Sequence, residues 1–82
     1  MPEHPIAHWT WDGVEYGVAG IAREDGPLAI VIAAVGPDNL HRSTHQIRPN
    51  DERELAHQMT KWNVATDEER AREAERLLGG AD

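Results

Sequence analysis

The five histidines are the side chains of this 82-residue chain that are best suited to metal binding. They are His4, His8, His41, His45 and His57. The first two are four residues apart, as are the next two, and on an α-helix this spacing lets two imidazoles bind one metal ion. Pro5 disfavours a helix at the first pair, and in a strand residues four apart are separated by about 13 Å. We therefore expect no metal site and no cofactor; should the chain bind metal, the candidate ligands are His41, His45 and His57.

Catalytic groups of other kinds are not indicated. Ser43 is the only serine, and no Gly-x-Ser-x-Gly motif surrounds it. The carboxylates of the C-terminal part alternate with arginines, a pattern typical of ion pairs on a solvated helix face. Gly17 and Gly20 lie within a strand-like pattern with no helix after it, so they do not form a phosphate-binding loop. We expect no enzymatic activity.

Aromatic residues offer a second kind of site. Trp9, Trp11 and Tyr16 fall close together, and the chain contains no phenylalanine, so these rings are expected to supply much of the large apolar volume of the core. If the helices cover only part of the sheet, one tryptophan remains exposed, and aromatic side chains commonly anchor protein partners. Trp9, nearer the free end of its strand, is then the better candidate for a partner contact.

These aromatic residues belong to a predicted β-hairpin. Residues 8–11 and 14–18 flank Asp12-Gly13, the dipeptide favoured in a two-residue type I′ turn. In that register Trp9 is opposite Tyr16, and both lie on one face of the sheet. The second strand is predicted to continue to about residue 23.

Residues 28–35 form an uninterrupted apolar run, which predicts a strand covered on both faces. Leu28, Ile30 and Ile32 share one face, which suits a helix layer. Val31 and Val35 share the other with two alanines, and these smaller residues permit close approach of another sheet. A chain this short has little material for two covering layers, so we expect the second face to bind a partner or another subunit.

The remaining segments predict one more strand and two helices. Residues 40–48 fit a polar edge strand, with a short helix capped by Asp38 or Asn39 as the alternative. Asp51 and Glu54, then Thr66 and Glu69, have the spacing of helix N-caps with acidic partners three residues later. The first helix has an apolar stripe and the second ends at a glycine. The residues concerned are Leu55, Met59 and Trp62 in the first helix, and Ala71, Ala74, Leu77, Leu78 and Gly79 in the second.

Together these elements predict one α+β domain spanning residues 1–82. Its sheet half (8–48) is an antiparallel meander of three or four strands, and its helical half (50–79) packs two helices on one face of that sheet. The apolar run is too short for a membrane span, which needs about 20 residues. The first five residues lack a basic segment followed by an apolar core, so we expect no signal peptide and a cytoplasmic location.

Charge and composition narrow the function. The net charge is −7, whereas nucleic-acid binding needs a basic patch, so a basic protein partner is expected instead. The leading hypothesis is a small acidic, non-enzymatic binding protein that acts as an inhibitor, an immunity-type protein or a regulator, and a bacterial regulator and a phage-encoded inhibitor both fit it. One alternative is a structural subunit of a homo-oligomer or larger assembly, and another is a histidine metal-binding protein. The predicted partner-binding residues are Trp9, Trp11, Tyr16, Val31 and Val35.

Overall fold

The computed structural model describes residues 3–37 and 42–79 and confirms the α+β prediction. Its elements are β1 (Glu3–Trp11), β2 (Val14–Ile21), β3 (Ala29–Val35), β4 (Arg42–Ile47), α1 (Glu52–Val64) and α2 (Asp67–Gly79). The four strands form one antiparallel sheet in the order β1-β2-β3-β4. Both helices follow the sheet in the chain and pack on one face of it.

The turn between β1 and β2 has the predicted geometry. Asp12 and Gly13 both have positive φ angles, 52° and 79°, as a type I′ turn requires. The turn fixes the register of the hairpin, in which Trp9 is opposite Tyr16. The predicted pairing is therefore confirmed.

Strand β1 begins at Glu3, five residues before the predicted start. Pro5 lacks a backbone N–H, but β1 is an edge strand, so the missing donor removes no bond from the sheet interior. The register shifts between Pro5 and Ala7, which marks a bulge at the same place. The proline and the bulge interrupt the alternation of residues between the two faces of the strand, so the sequence pattern does not predict this part of β1.

Strand β2 ends at Ile21, earlier than predicted, and the loop after it is fixed by Arg23. The Nε of Arg23 donates to the carbonyl oxygen of Pro27 at 2.6 Å, and its other nitrogen donates to the carbonyl of Pro49. Pro49 is buried between β4 and α1. The side chain therefore ties the β2–β3 loop to the connection between the sheet and the helices.

Strand β3 has two different faces. Ile30 and Ile32 are fully buried against the helices, as predicted. Val31 and Val35 point to the opposite face and are partly exposed. The prediction that β3 is covered on both faces is thus met on one face only, because both helices pack on the same side of the sheet.

The segment before the helices is a strand over its described part. Residues 42–47 form β4, which pairs with β3 without a register shift from Ile47 to Arg42. The alternative of a short helix is therefore wrong for these residues. Asp38, Asn39, Leu40 and His41 lie outside the described residues.

Both helices begin at the predicted caps. The Oδ1 of Asp51 accepts from the N–H of Glu54 at 2.8 Å, while the carboxylate of Glu54 accepts from Asn50 at 3.3 Å, one residue earlier than predicted. At α2 the pairing is reciprocal: Glu69 donates its N–H to the Thr66 hydroxyl and accepts from the Thr66 N–H, at 3.2 and 2.9 Å. These contacts satisfy backbone donors that a helix start leaves unpaired.

The predicted apolar positions of the helices face the sheet. In α1 Leu55 and Trp62 are buried and Met59 is partly buried, and in α2 Ala71 and Ala74 are buried. The small side chains of α2 let its backbone lie close to the sheet, while Trp62 of α1 fills the larger space. Neither of the two described helices has the length and apolar composition needed to cross a membrane.

Candidate protein-binding surface

Three aromatic rings form the centre of the core. Trp9 of β1 stacks on Tyr16 of β2 with ring centroids 5.1 Å apart. The ring centroid of Trp62, from α1, lies 6.0 Å from that of Trp9. Trp9 and Tyr16 are only 5% and 2% exposed. The prediction that Trp9 is the better candidate for partner contact is therefore wrong, because α1 brings Trp62 onto it. Neither Trp9 nor Tyr16 is accessible to a partner in this fold.

Arg70 of α2 holds this aromatic cluster against the helix junction. Its guanidinium lies 5.6 Å from the Trp9 ring centroid, within the range of a cation–π contact. The same group donates to the carbonyl oxygens of Trp62 at 2.7 Å and Asn63 at 3.2 Å, near the end of α1. These contacts satisfy carbonyls that a helix end leaves unpaired, so Arg70 serves the structure of the junction.

Two acidic side chains of α2 complete this structural network. The Tyr16 hydroxyl donates to Glu75 at 3.4 Å, and burial first, then the charge of Glu75, raises the pKa of Tyr16. Glu73 accepts from Arg76 at 2.6 and 2.9 Å and from Lys61 of α1. The hydrogen bonds from Arg76, aided by Lys61 against the opposing effect of partial burial, lower the pKa of Glu73 to about 2. Tyr16 therefore stays neutral and Glu73 stays charged at neutral pH.

The histidines are separated in the fold. His45 lies on the helix side of β4, opposite Ile32, while His57 is exposed on α1. His8 contacts Glu15 through Nε2 and Oε1 at 3.1 Å on the other face of the sheet. His41 is outside the described residues, and among those described no three His, Asp or Glu side chains approach closely enough to hold a metal ion.

The sheet face opposite the helices carries an apolar strip along its two central strands, β2 and β3. Register pairing places the strip residues side by side, since Gly17 is opposite Ala33 and Ala19 is opposite Val31. The strip is bordered by polar residues of β4 on one side and of β1 on the other. We call this surface the open face. It consists of Thr10, His8 and Pro5 from β1, Glu15, Gly17, Ala19 and Ile21 from β2, Ala29, Val31, Ala33 and Val35 from β3, and Arg42, Thr44 and Gln46 from β4.

Two of the five predicted partner-binding residues, Val31 and Val35, lie on the open face and are partly exposed. Trp11 is 40% exposed but lies on the helix side, at the end of β1. The sequence also placed the two alanines of β3, Ala29 and Ala33, on this face, whereas the members from β1, β2 and β4 were not assigned to a partner surface. The alternation of Gly17, Ala19 and Ile21 was the available signal, since it places small and apolar residues on one side of β2.

Both halves of the molecule carry an acidic excess, and the open face carries charges of both signs. Residues 51–79 contain eight Asp or Glu and five Lys or Arg, and residues 1–48 contain six Asp or Glu and three Arg. Arg42 is exposed on the open face at the beginning of β4. Arg48 follows the other end of β4, where its Nε donates to the Gln46 side chain of the open face at 3.2 Å. Glu15 lies on the open face in the same row as Arg42. At the other end of the face, Glu24 and Asp25 line a cavity together with Ile21, Ala29, Gln46 and Arg48. A partner that covers the open face therefore meets arginines as well as carboxylates.

Comparison of the chain with protein-family models, with curated proteins and with solved structures finds no match.

Proposed function

We propose that this chain is a small non-enzymatic protein-binding factor, acting as an inhibitor, an immunity-type protein or a regulator, and that the open face is its contact surface. The observation that carries the proposal is the apolar strip at Val31, Ala33 and Val35, which lies opposite the helix layer and is partly exposed. Burial of apolar area is the main driving force of protein association. A partner that covers the strip would remove this area from water.

The composition of the open face resembles that of a protein interface. Its centre is apolar, and its border carries side chains that are able to form hydrogen bonds, among them Thr10, Thr44 and Gln46. An apolar centre with a polar rim is typical of specific interfaces. The face is also supported by a sheet whose other side is packed, so little conformational order has to be gained on binding.

The groups with shifted pKa values support a non-enzymatic role. An active site usually contains such groups in a cleft, where they carry the chemistry. Here Glu69 and Glu73 do line a cavity at the helix junction, but Glu69 caps α2 and Glu73 pairs with Lys61 and Arg76. Tyr16 donates to Glu75. Each shifted group thus has a structural partner. We place the binding activity in the cytoplasm, in line with the absence of a membrane-spanning helix from the described residues.

The test compares Val31→Glu with Val64→Glu. Val64 is an apolar residue at the end of α1, 75% exposed and on the helix side, so it is a matched control for adding a carboxylate to an exposed valine. The full chain and both variants are immobilised, and the proteins retained from an extract of the source cells are quantified by mass spectrometry.

We expect Val31→Glu to lose a specific partner by about tenfold or more, because it places a charge at the centre of the apolar strip. Val64→Glu should retain that partner as well as the unchanged chain does. A set of retained proteins that is the same for all three, with both variants folded by circular dichroism, would contradict the proposed function.

A further inference from the structure

The open face is complementary to itself. We propose that its occupant is a second copy of this chain, packed face to face about a two-fold axis that runs parallel to the strands. This inference rests on the proposed use of the open face for binding and names a second copy as its occupant, with which a target protein would compete for the same face.

The strand register defines rows of residues across the open face. One row contains Glu15, Val35 and Arg42, and the next contains Gly17, Ala33 and Thr44. A two-fold axis parallel to the strands reverses the strand order and keeps each row level, so β2 of one copy faces β3 of the other. Gly17 then faces Ala33 of the second copy. In the following row Ala19 faces Val31, so that a smaller side chain meets a larger one.

The charges of the face select this axis. Arg42 on β4 of one copy lies above β1 of the second copy, in the same row. Glu15 of the second copy lies in that row on β2, the neighbouring strand. Neighbouring strands are about 4.8 Å apart and packed sheets about 10 Å apart, a separation that Arg and Glu side chains span together. The symmetry forms this ion pair twice.

A two-fold axis perpendicular to the strands gives a different result. It keeps β4 above β4 and reverses the rows, so Arg42 of one copy approaches Arg48 of the other. Glu15 and Arg42 of the two copies are then at opposite ends of the interface and form no ion pair, whereas the parallel axis brings them together. The placement of Glu15 and Arg42 on opposite sides of the apolar strip therefore favours the parallel axis.

Face-to-face packing also separates the acidic parts of the two copies. The helix layers, with their excess of carboxylates, remain on the two outer sides of the four-layer assembly. With layers about 10 Å thick, the helix layers are farther apart than the Debye length of about 8 Å at physiological ionic strength. The charges of the two helix layers therefore contribute little to the repulsion between the copies.

The size of the face sets the strength of the association. Four strands about 4.8 Å apart, each with six residues at about 3.3 Å, give a footprint of roughly 400 Å² per copy. Two copies together approach the lower limit of about 1,000 Å² for a specific interface. We therefore expect a dimer that dissociates on dilution and is best followed over a range of concentrations.

The experiment is analytical ultracentrifugation of the full chain with a charge exchange. Glu15→Arg and Arg42→Glu are measured singly and together, and Glu68→Arg with Arg72→Glu is the matched control, since that ion pair lies on the exposed side of α2. Each single change on the open face should weaken the dimer by about tenfold, because the two-fold repeats every contact. The double variant should restore association, and the α2 pair should leave it unchanged.

Two results would overturn the inference. A wild-type chain that stays monomeric at millimolar concentration has no second copy as its partner, although the retention assay with Val31→Glu could still identify a different protein. A dimer that is insensitive to the Glu15 and Arg42 changes, or that the double variant does not restore, uses another surface or another axis. Circular dichroism of each variant checks that the monomers remain folded.

Discussion

Glu73 is the side chain that joins the two helices electrostatically. It accepts from Lys61 of α1 and from Arg76 of α2, and it is 21% exposed. Its pKa is about 2 in the folded chain, below the ordinary glutamate value of 4.5. Since the folded state favours the charged form, this contribution to stability is fully present above pH 4.5 and is lost as the pH falls towards 2.

We predict that Glu73→Gln lowers the free energy of unfolding at neutral pH by roughly 1 kcal/mol, a value reduced for solvent screening of a partly exposed ion pair. The difference from the wild-type chain should shrink between pH 4.5 and pH 2, the interval that separates the two pKa values. Urea denaturation at several pH values measures both effects. Glu68→Gln removes a more exposed pair with Arg72 and should change stability less. A stability difference between the variant and the wild-type chain that is independent of pH would show that the charge of Glu73 does not cause it.

The two N-caps act at the scale of single elements, and the cap of α2 is the more complete. At α2, the side chains of Thr66 and Glu69 each accept from the other residue's backbone N–H. At α1, Asp51 accepts from the N–H of Glu54, but the Glu54 carboxylate accepts from the N–H of Asn50 instead of that of Asp51. The Thr66 carbonyl also accepts the first backbone hydrogen bond of α2, from the N–H of Arg70 at 2.9 Å. The start of α2 is thus fixed within one turn of chain.

We predict that Thr66→Ala costs about 1 kcal/mol of stability, the usual loss for an N-cap hydroxyl. Thr66→Ser keeps the hydroxyl and should retain most of the stability. Thr60→Ala, at an exposed position inside α1, removes a hydroxyl without a cap and should be neutral or slightly stabilising. The three variants are compared by thermal and urea denaturation, and equal effects of Thr66→Ala and Thr60→Ala would exclude the capping role.

Elements whose determinants are local were predicted correctly from the sequence. The Asp12-Gly13 turn and the caps at Asp51 and Thr66 depend on residues within three or four positions of one another. The beginning of β1 was missed because pairing with β2 overrides the poor strand propensity of Pro5. The burial of Trp9 was also misjudged, since it depends on Trp62, which is 53 positions away in the chain. The polar border of the open face could not be assembled either, because it requires the strand order and register.

At the scale of the whole molecule, the sheet separates a packed side from an open side. Ile32 and Val31 are neighbours in the chain with similar side chains, yet Ile32 is fully buried under the helices and Val31 lies on the open face. The environment of a β-strand residue alternates with each position, so these two differ only in the side of the sheet that they occupy. They provide a direct test of the architecture.

We predict that Ile32→Glu unfolds the chain, because burying an unpaired carboxylate costs more than about 4 kcal/mol, a large part of the stability of a small domain. Val31→Glu should leave the helical circular dichroism signal and the urea midpoint nearly unchanged in dilute solution, since its carboxylate remains in water. The variant should nevertheless lose association at high concentration, because the same carboxylate would be buried between two sheets. If Val31→Glu unfolds the monomer, the open face is part of the core and cannot serve a partner. If it neither unfolds the chain nor weakens association, the partner binds elsewhere on the molecule. The open face is then not a binding surface, although the other side of the sheet is still the core.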